Sequence, residues 1–228
     1  MNLPIGTSGD YKTWADAARL CGEGEPPAYR AKAIEAAARV ARGEAVGVRD
    51  GILQDEIEYS WPLLAGLMYV AARNAGRLSV LDFGGGPAVT YLQNRRFLTH
   101  VPSLDWRVVE MPDYCAACAA GTPDVIVLSG VLNMLEHPYD LLAEIRARAI
   151  PHILIDRLSM SLLGRERLTV YRADPAHHPA LAFPCWWLDE AKLKAALTPD
   201  YTLIEKFEAF FNPGPFASER AGYIFSRA

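Results

Sequence analysis

The sequence is poor in cysteine and in long apolar runs. Only four of its 228 residues are cysteine, too few for a disulfide framework in a chain of this length. The longest apolar stretch, from Trp61 to Ala72, is shorter than the roughly 18 to 20 residues that cross a bilayer. The first residues, MNLPIG, do not have the pattern of an export signal. We therefore expect no membrane span and a cytoplasmic location.

Neither sign of charge dominates the chain. The net charge is −4, and no lysine-rich block offers an electrostatic footprint for a nucleic-acid backbone. We therefore expect no nucleic-acid partner. With 51% hydrophobic and 22% charged residues, the composition is typical of one compact globular domain, or of a domain with a small cap. The composition does not indicate an oligomeric state.

Cys115 and Cys118 form the one close pair of cysteines in the sequence, and such a Cys-x-x-Cys pair is typical of zinc sites and of redox sites. A zinc site needs further ligands at a suitable spacing, and Cys21 and Cys185 are isolated. A redox pair needs a basic neighbour to lower the thiol pKa, and MPDYCAACAAG contains none. We expect both cysteines to be small buried residues.

The pattern of apolar residues changes near residue 76. Before it, start signals at Thr13 and Ser60 and an alanine-rich run from Ala31 to Arg42 predict helices. After it, short apolar runs alternate with helical segments, which is typical of a parallel sheet covered by helices. We predict an N-terminal helical cap, 1–76, and a Rossmann-like α/β core, 77–228.

The core pattern predicts its elements in order. The expected strands are 78–83, 106–110, 124–129, 152–156, 201–210 and 222–227. The expected helices are 89–99, a short one through Ala116, one that begins at Pro138, and 189–197. The last two strands are joined by a turn-rich segment, so they should be antiparallel neighbours. Between Arg157 and Trp187 three prolines interrupt the periodicity, which predicts a lid or binding loop.

The strongest local signal is VLDFGGGPAVTYL, a buried strand that runs through Gly84, Gly85 and Gly86 into a helix. Glycines allow a tight turn close to a ligand, and a helix N-terminus offers free N–H groups. A dinucleotide fold requires Gly-x-Gly-x-x-Gly, but Val89 stands at the third glycine position. Asp82 precedes the turn, and a carboxylate there suits a cationic ligand better than a pyrophosphate.

In these residues the sequence resembles the class I S-adenosylmethionine-dependent methyltransferases, whose first motif is an acidic residue, any residue, and Gly-x-Gly-x-Gly. Ala88 replaces the last glycine. The resemblance continues at DWRVVE and at PDVIVLSGVLNMLEHPYDLLAEI and covers about residues 59–187. More narrowly, YSWPLLAGL with LDFGGG, WRVVE and LSGVL is similar to a bacterial group of methyltransferase-like proteins often encoded near surface-polysaccharide genes.

The resemblance implies S-adenosylmethionine as the cofactor. The cofactor-binding residues that it implies are Asp82, Gly84, Gly85, Gly86, Glu110, Met111, Ser129 and Gly130. Asp82 would lie near the amino end of the cofactor, and Glu110 would hold the two ribose hydroxyls. A solvated strand end remains an alternative for Glu110, as does a loop cap for Ser129.

The complete fold of this family needs a helix, a third strand and another connection between the second and fourth strands. Only thirteen residues separate Glu110 from Asp124, and a crossover to a parallel strand takes a dozen or more by itself. We therefore expect the sheet to lack its third strand.

Methyl transfer needs an electrophilic sulfonium in line with a nucleophile, so a base is required only for acceptors such as hydroxyls. Asp156, which ends one predicted strand, and His137, beside the loop after another, are the candidate catalytic bases. Their structural alternatives are a surface ion pair of Asp156 with Arg157 and a helix start at His137. Metal-dependent members would place carboxylates where Ser129 stands, so we expect no metal.

Three functions are compatible with these patterns. The first is an S-adenosylmethionine-dependent transferase that methylates an oxygen of a small molecule or saccharide. The second is a degenerate methyltransferase fold that binds cofactor or acts as a scaffold without catalysis, which a missing third strand favours. The third is a dinucleotide oxidoreductase, against which Asp82 and the antiparallel C-terminal strands argue.

Overall fold

A computed structural model describes most of the chain. The described residues are 5–22, 27–110, 121–178, 181–209 and 216–228. Their helices are α1 (Trp14–Ala18), α2 (Pro27–Ala41), α3 (Trp61–Arg73), α4 (Val89–Leu98), α5 (Pro138–Ala147) and α6 (Glu190–Leu197). Their strands are β1 (Gly6–Tyr11), β2 (Gly47–Arg49), β3 (Ile52–Gln54), β4 (Arg77–Phe83), β5 (Ser103–Val109), β6 (Val125–Ser129), β7 (His152–Ser161), β8 (Arg167–Arg172), β9 (Ala182–Trp187), β10 (Tyr201–Glu208) and β11 (Ser218–Arg227).

A six-stranded sheet forms the centre of the fold, in the order β10-β11-β7-β6-β4-β5. Strands β5, β4, β6 and β7 are parallel to one another. Strand β11 is antiparallel to both β7 and β10 and lies between them. The predicted α/β fold class is confirmed, as is the C-terminal hairpin that inserts one antiparallel strand.

Helices cover both faces of this sheet, which explains why its parallel strands read as continuous apolar runs. On one face α3 and α4 pack with Leu78, Val80, Val127 and Leu154. On the other face α5 and α6 pack with the alternate residues of the same strands, such as Leu81. Successive side chains of a strand point to opposite faces, so Asp82 and Asp156 continue the rows that face α3 and α4.

A glycine lets α3 lie close to the sheet. A Cβ on Gly66 would lie 2.8 Å from Cδ2 of Leu154, so a larger residue here would have to displace that side chain. The helix begins after Ser60, with Pro62 in its first turn, as the sequence predicts. This close packing brings the start of α3 beside the carboxyl end of β7.

The N-terminal part is not purely helical, and this expectation was wrong. It contains β1, which pairs with β8, and the hairpin of β2 and β3. The Asp50-Gly51 turn of that hairpin has positive φ at both residues, 49° and 73°, as a tight two-residue turn requires. The division at residue 76 stays a prediction.

The segment 157–187 is also not irregular, contrary to the expectation from its prolines. Strand β7 continues to Ser161, and β8 and β9 form a three-stranded antiparallel sheet with β1. Pro184 lies in β9, which is an edge strand, where a residue without an N–H is tolerated. The inserted sheet joins the end of β7 through the Ser161 N–H, which donates to Leu188 O at 2.8 Å.

Strand β5 ends the central sheet among the described residues. Residues 111–120, where most of a third strand would have to lie, are outside the described residues, as are the predicted short helix, Cys115 and Cys118. The absence of the third strand therefore stays a prediction. In the part of the chain that the structure describes, no helix is both long enough and apolar enough to span a bilayer.

Candidate functional site

The glycine turn after β4 folds over the side chain of Asp82. Gly84 and Gly86 have φ of +68° and +53°, which favours glycine at both positions. A Cβ on Gly85 would lie 2.5 Å from Cγ of Asp82, so the turn and the carboxyl group are in direct contact. Ala88, the residue before α4, has φ of +60°, which explains why a glycine would be favoured there.

Asp82 is fully buried beneath this turn. The indole N–H of Trp106 donates to its Oδ2 at 3.3 Å, and Oδ1 has no hydrogen-bond partner among the described residues. Burial raises the pKa of Asp82 to about 7, and the nearby Glu110 raises it as well, whereas Trp106 and Arg157 act in the opposite direction. The turn therefore covers an acidic group that exchanges its proton near neutral pH.

This raised pKa predicts that the free protein loses stability as the pH rises. Because Asp82 keeps its proton up to about pH 7 in the folded state and loses it near its ordinary 3.8 when unfolded, unfolding releases a proton between these values. We expect the free energy of unfolding to fall by up to about 4 kcal/mol, relative to Asp82→Asn, from pH 4 to pH 8. Urea unfolding of both proteins at several pH values measures this difference. A difference that does not change with pH contradicts the buried titration.

Glu110 follows β5 and reaches across to the glycine turn. Its Oε1 accepts a hydrogen bond of 2.6 Å from the backbone N–H of Gly86, and the residue is exposed. The turn is also tied to β5 through the Gly84 N–H, which donates to Val109 O at 2.8 Å. The structure therefore brings the predicted residues Asp82, Gly84, Gly85, Gly86 and Glu110 together. Met111 lies outside the described residues.

Ser129 ends the neighbouring strand β6, Gly130 follows it, and Arg157 lies against both. Two guanidinium nitrogens of Arg157, Nε and one Nη, donate to Ser129 Oγ at 3.1 and 3.0 Å. A Cβ on Gly130 would lie 3.9 Å from Arg157 Nε. The Gly130 N–H donates to Asp156 O at 2.9 Å, which ties the ends of β6 and β7 together. Arg157 is thus a cation at the carboxyl edge of the sheet.

A β-bulge in β7 aims Asp156 and Arg157 into the site. These two residues stand opposite the single residue Gly222 of β11, where the pairing register shifts. Arg157 has φ of +54°, a conformation that costs energy for a residue with a side chain. The predicted surface ion pair was wrong, because Asp156 is only 3% exposed and Arg157 hydrogen-bonds to Ser129.

Asp156 is a buried carboxyl group with one unsatisfied oxygen. Its Oδ1 has no hydrogen-bond partner within the described ranges. Burial raises the pKa of Asp156, while the charge and backbone N–H of Arg157, the hydroxyl of Ser60 and the charge of Arg49 lower it. The side chain faces a cavity of about 40 Å³ beside the start of α3. Asp156 is therefore a proton acceptor that borders a cavity, an arrangement that suits a general base.

His137, the second candidate base, lies in a different environment. It precedes α5, and its side chain is 71% exposed. Its Nε2 is 3.9 Å from Oε1 of Glu136. The alternative role at a helix start agrees with this position.

No group of three or more histidine, cysteine, aspartate or glutamate residues within the described segments could hold a metal ion. The expectation of a metal-free site stays a prediction. Cys21 and Cys185 are free thiols, and burial raises the pKa of both.

The sequence interpretation missed several residues of the site. Trp106, Ser60, Arg49 and Gln93 contact or surround the two buried carboxyl groups. Trp106 could have been found by alternation, because it lies on β5 one strand from Asp82. Arg49 carries no local signal, because its position depends on a hairpin far from β7 in the sequence.

No protein-family model matches the chain, and no curated protein is similar to it in sequence. Among solved structures, the N-terminal domain of EvdMO1 with SAH bound is 16% identical with a TM-score of 0.44, over 85% of this chain and 96% of that one. The 1,6-didemethyltoxoflavin-N1-methyltransferase of Burkholderia thailandensis is 17% identical with a TM-score of 0.40, over 91% and 92%. The amino pentose methyltransferase CalS10 of Micromonospora echinaspora is 13% identical with a TM-score of 0.42, over 75% and 92%.

Because all these TM-scores are below 0.5, the fold class rests on the strand order of the sheet itself.

Proposed function

We propose that the protein is an S-adenosylmethionine-dependent methyltransferase that transfers a methyl group to an oxygen of a small molecule or saccharide. The observation that carries the proposal is the glycine turn at the carboxyl end of β4, which lies over buried Asp82 and is hydrogen-bonded to Glu110. Ligands of open parallel sheets bind at the carboxyl ends of the strands, where this turn lies.

The residues present fit this cofactor. Asp82 has an oxygen with no partner among the described residues, which suits the amino group of a cationic ligand. Glu110 is exposed at the end of the next strand, and in this proposal it would hold the ribose hydroxyls. A side chain at Gly86 would meet no protein atom within 4 Å, so the space above the turn is open. Ser129 and Gly130 would lie at the methionine end.

The cofactor, when bound, supplies an electrophilic methyl group on a positively charged sulfur. The protein must then exclude water and orient the acceptor oxygen in line with that group, which accounts for much of the rate. Asp156 is the base that we assign, because it is buried, carries an unsatisfied oxygen and contacts a cavity. The transfer would replace a sulfur–carbon bond of the cofactor by an oxygen–carbon bond and leave S-adenosylhomocysteine, and Asp156 would accept the proton of the acceptor hydroxyl.

Calorimetric titration with S-adenosylmethionine and with S-adenosylhomocysteine tests the proposal. We expect saturable binding of both, at one site per chain. An NAD(H) titration serves as the matched comparison, because an oxidoreductase would bind that cofactor instead. Absence of heat with both sulfur compounds contradicts the proposal. Binding without transfer to any acceptor would support the scaffold alternative.

A further inference from the structure

A small polar cavity lies between the carboxyl end of β7, the residues just before α3, the end of β2 and helix α4. It is about 40 Å³ in volume. Its lining residues are Arg49, Glu58, Tyr59, Ser60, Gln93, Asp156 and Arg157. We call it the β7 cavity. It has space for a few water molecules or one hydroxymethyl group, and too little for a sugar or phenol ring.

The charges that line the β7 cavity balance. Arg49 forms an ion pair with Glu58, and Arg157 lies beside Asp156, so two guanidinium groups stand with two carboxyl groups. A site with no net charge offers little electrostatic attraction to a phosphate or carboxylate group of a ligand. Asp156 is only 3% exposed, and one of its carboxyl oxygens has no hydrogen-bond partner among the described residues. The cavity therefore favours an uncharged ligand that donates a hydroxyl hydrogen bond.

Three aromatic side chains, one of which lines the cavity, pack against one another. Tyr59 lines the cavity, and its ring stacks on Trp61 with 4.5 Å between ring centroids. Phe97 packs edge-on against both rings, at 5.5 and 5.6 Å. Trp61 nevertheless remains 56% exposed. We call these three residues the Trp61 platform, a fixed aromatic surface beside a polar cavity.

We propose that the β7 cavity and the Trp61 platform form the acceptor site for an uncharged saccharide. One sugar hydroxyl or hydroxymethyl group enters the cavity and donates to Asp156, and the C–H face of the ring packs on Trp61. A flat phenol has no hydroxymethyl arm, so its hydroxyl stays in the plane of the stacked ring and would leave polar groups deeper in the cavity without partners, which is costly. The inference rests on the proposed function and names its substrate class.

Saturation-transfer NMR with simple probes tests this inference. The uncharged probes are methyl α-D-glucopyranoside, methyl β-D-galactopyranoside and methyl α-D-mannopyranoside, and the comparison probes are D-glucuronate and catechol. All are measured in the presence of S-adenosylhomocysteine. We expect saturable binding of at least one methyl glycoside, stronger than that of either comparison probe.

Trp61→Ala should weaken the binding of that glycoside by about tenfold, because it removes the stacking surface. The side chain is more than half exposed, so the variant should fold normally. Leu162→Ala is the matched control, because Leu162 is also 56% exposed but lies in the turn after β7 and does not line the cavity. We expect this control to bind the glycoside like the wild-type protein.

Three results would overturn the inference: no binding of any methyl glycoside, stronger binding of glucuronate or catechol, or an unchanged affinity in Trp61→Ala. The calorimetric titration with S-adenosylhomocysteine alone separates this failure from that of the proposed function. If the titration shows binding and the glycosides do not bind, the cofactor site stands and the saccharide is excluded. If the titration shows no binding, the proposed function itself fails.

Discussion

Replacing Asp156 by asparagine is expected to lower turnover by about 10² to 10⁴, the usual contribution of a general base. Asparagine has nearly the same shape, so the packing beside Ser60 and Arg157 is kept. It removes a group whose charged form is disfavoured by burial, so the folded state should not be weakened at neutral pH. The loss should therefore appear in kcat, while the affinity for S-adenosylhomocysteine stays unchanged.

The pH profile distinguishes a base from a residue that only binds the acceptor. Because the pKa of Asp156 is raised, the wild-type rate should fall as the pH drops through a value above the ordinary range of a carboxyl group. The residual rate of Asp156→Asn should not show this decrease. The measurement is the initial rate of S-adenosylhomocysteine formation with an accepted sugar. His137→Ala is the comparison. A loss of about 10² to 10⁴ in His137→Ala, together with an unchanged rate in Asp156→Asn, would make His137 the base.

The glycine turn could be predicted from the sequence because all its determinants are local. A buried strand, an acidic residue and three consecutive glycines lie within a few positions, and the φ values of Gly84 and Gly86 agree with the reason for glycine. Glu110 also follows from local information, because it ends a strand that is parallel and adjacent to β4. The order of strands in the sheet brings Glu110 next to the glycine turn, as the sequence pattern predicts.

The inserted sheet could not be predicted in the same way. Strand β1 contains two glycines, and its partner β8 lies more than 150 residues away in the chain. Its stability depends on that pairing and on the packing of α1, not on the propensity of its own residues. The hairpin of β2 and β3 is a different case, because Asp50-Gly51, with Val48 before it and Ile52 and Leu53 after it, is a strong local turn signal.

The orientation of Arg157 depends on residues remote from it. A regular strand would place Asp156 and Arg157 on opposite faces of the sheet. The bulge opposite Gly222 changes this alternation, and a Cβ on Gly222 would lie 2.0 Å from Cζ of Phe207. The position is therefore restricted to glycine by packing between β11 and β10, two strands that follow Arg157 by more than 40 residues. No local pattern contains this information.

Gly86→Val is expected to abolish or weaken the binding of S-adenosylhomocysteine by at least about 100-fold, while the protein still folds. Valine at a φ of +53° is strained, and the conformation costs about 1 to 2 kcal/mol. A Cβ at this position meets no protein atom within 4 Å, so the side chain would extend into the open space above the turn. That space is where the proposed cofactor must approach the backbone.

Gly164→Val separates the effect of strain from the effect of blocking the site. Gly164 has a φ of +67°, also has open space at its Cβ, and lies in the turn between β7 and β8. Both variants should lose similar stability in urea unfolding, because both place valine in the same region of φ. Only Gly86→Val should lose cofactor affinity in calorimetric titration. If Gly86→Val binds as tightly as the wild-type protein, the cofactor does not lie over this turn, and Asp82 is then buried for a reason unrelated to methyl transfer.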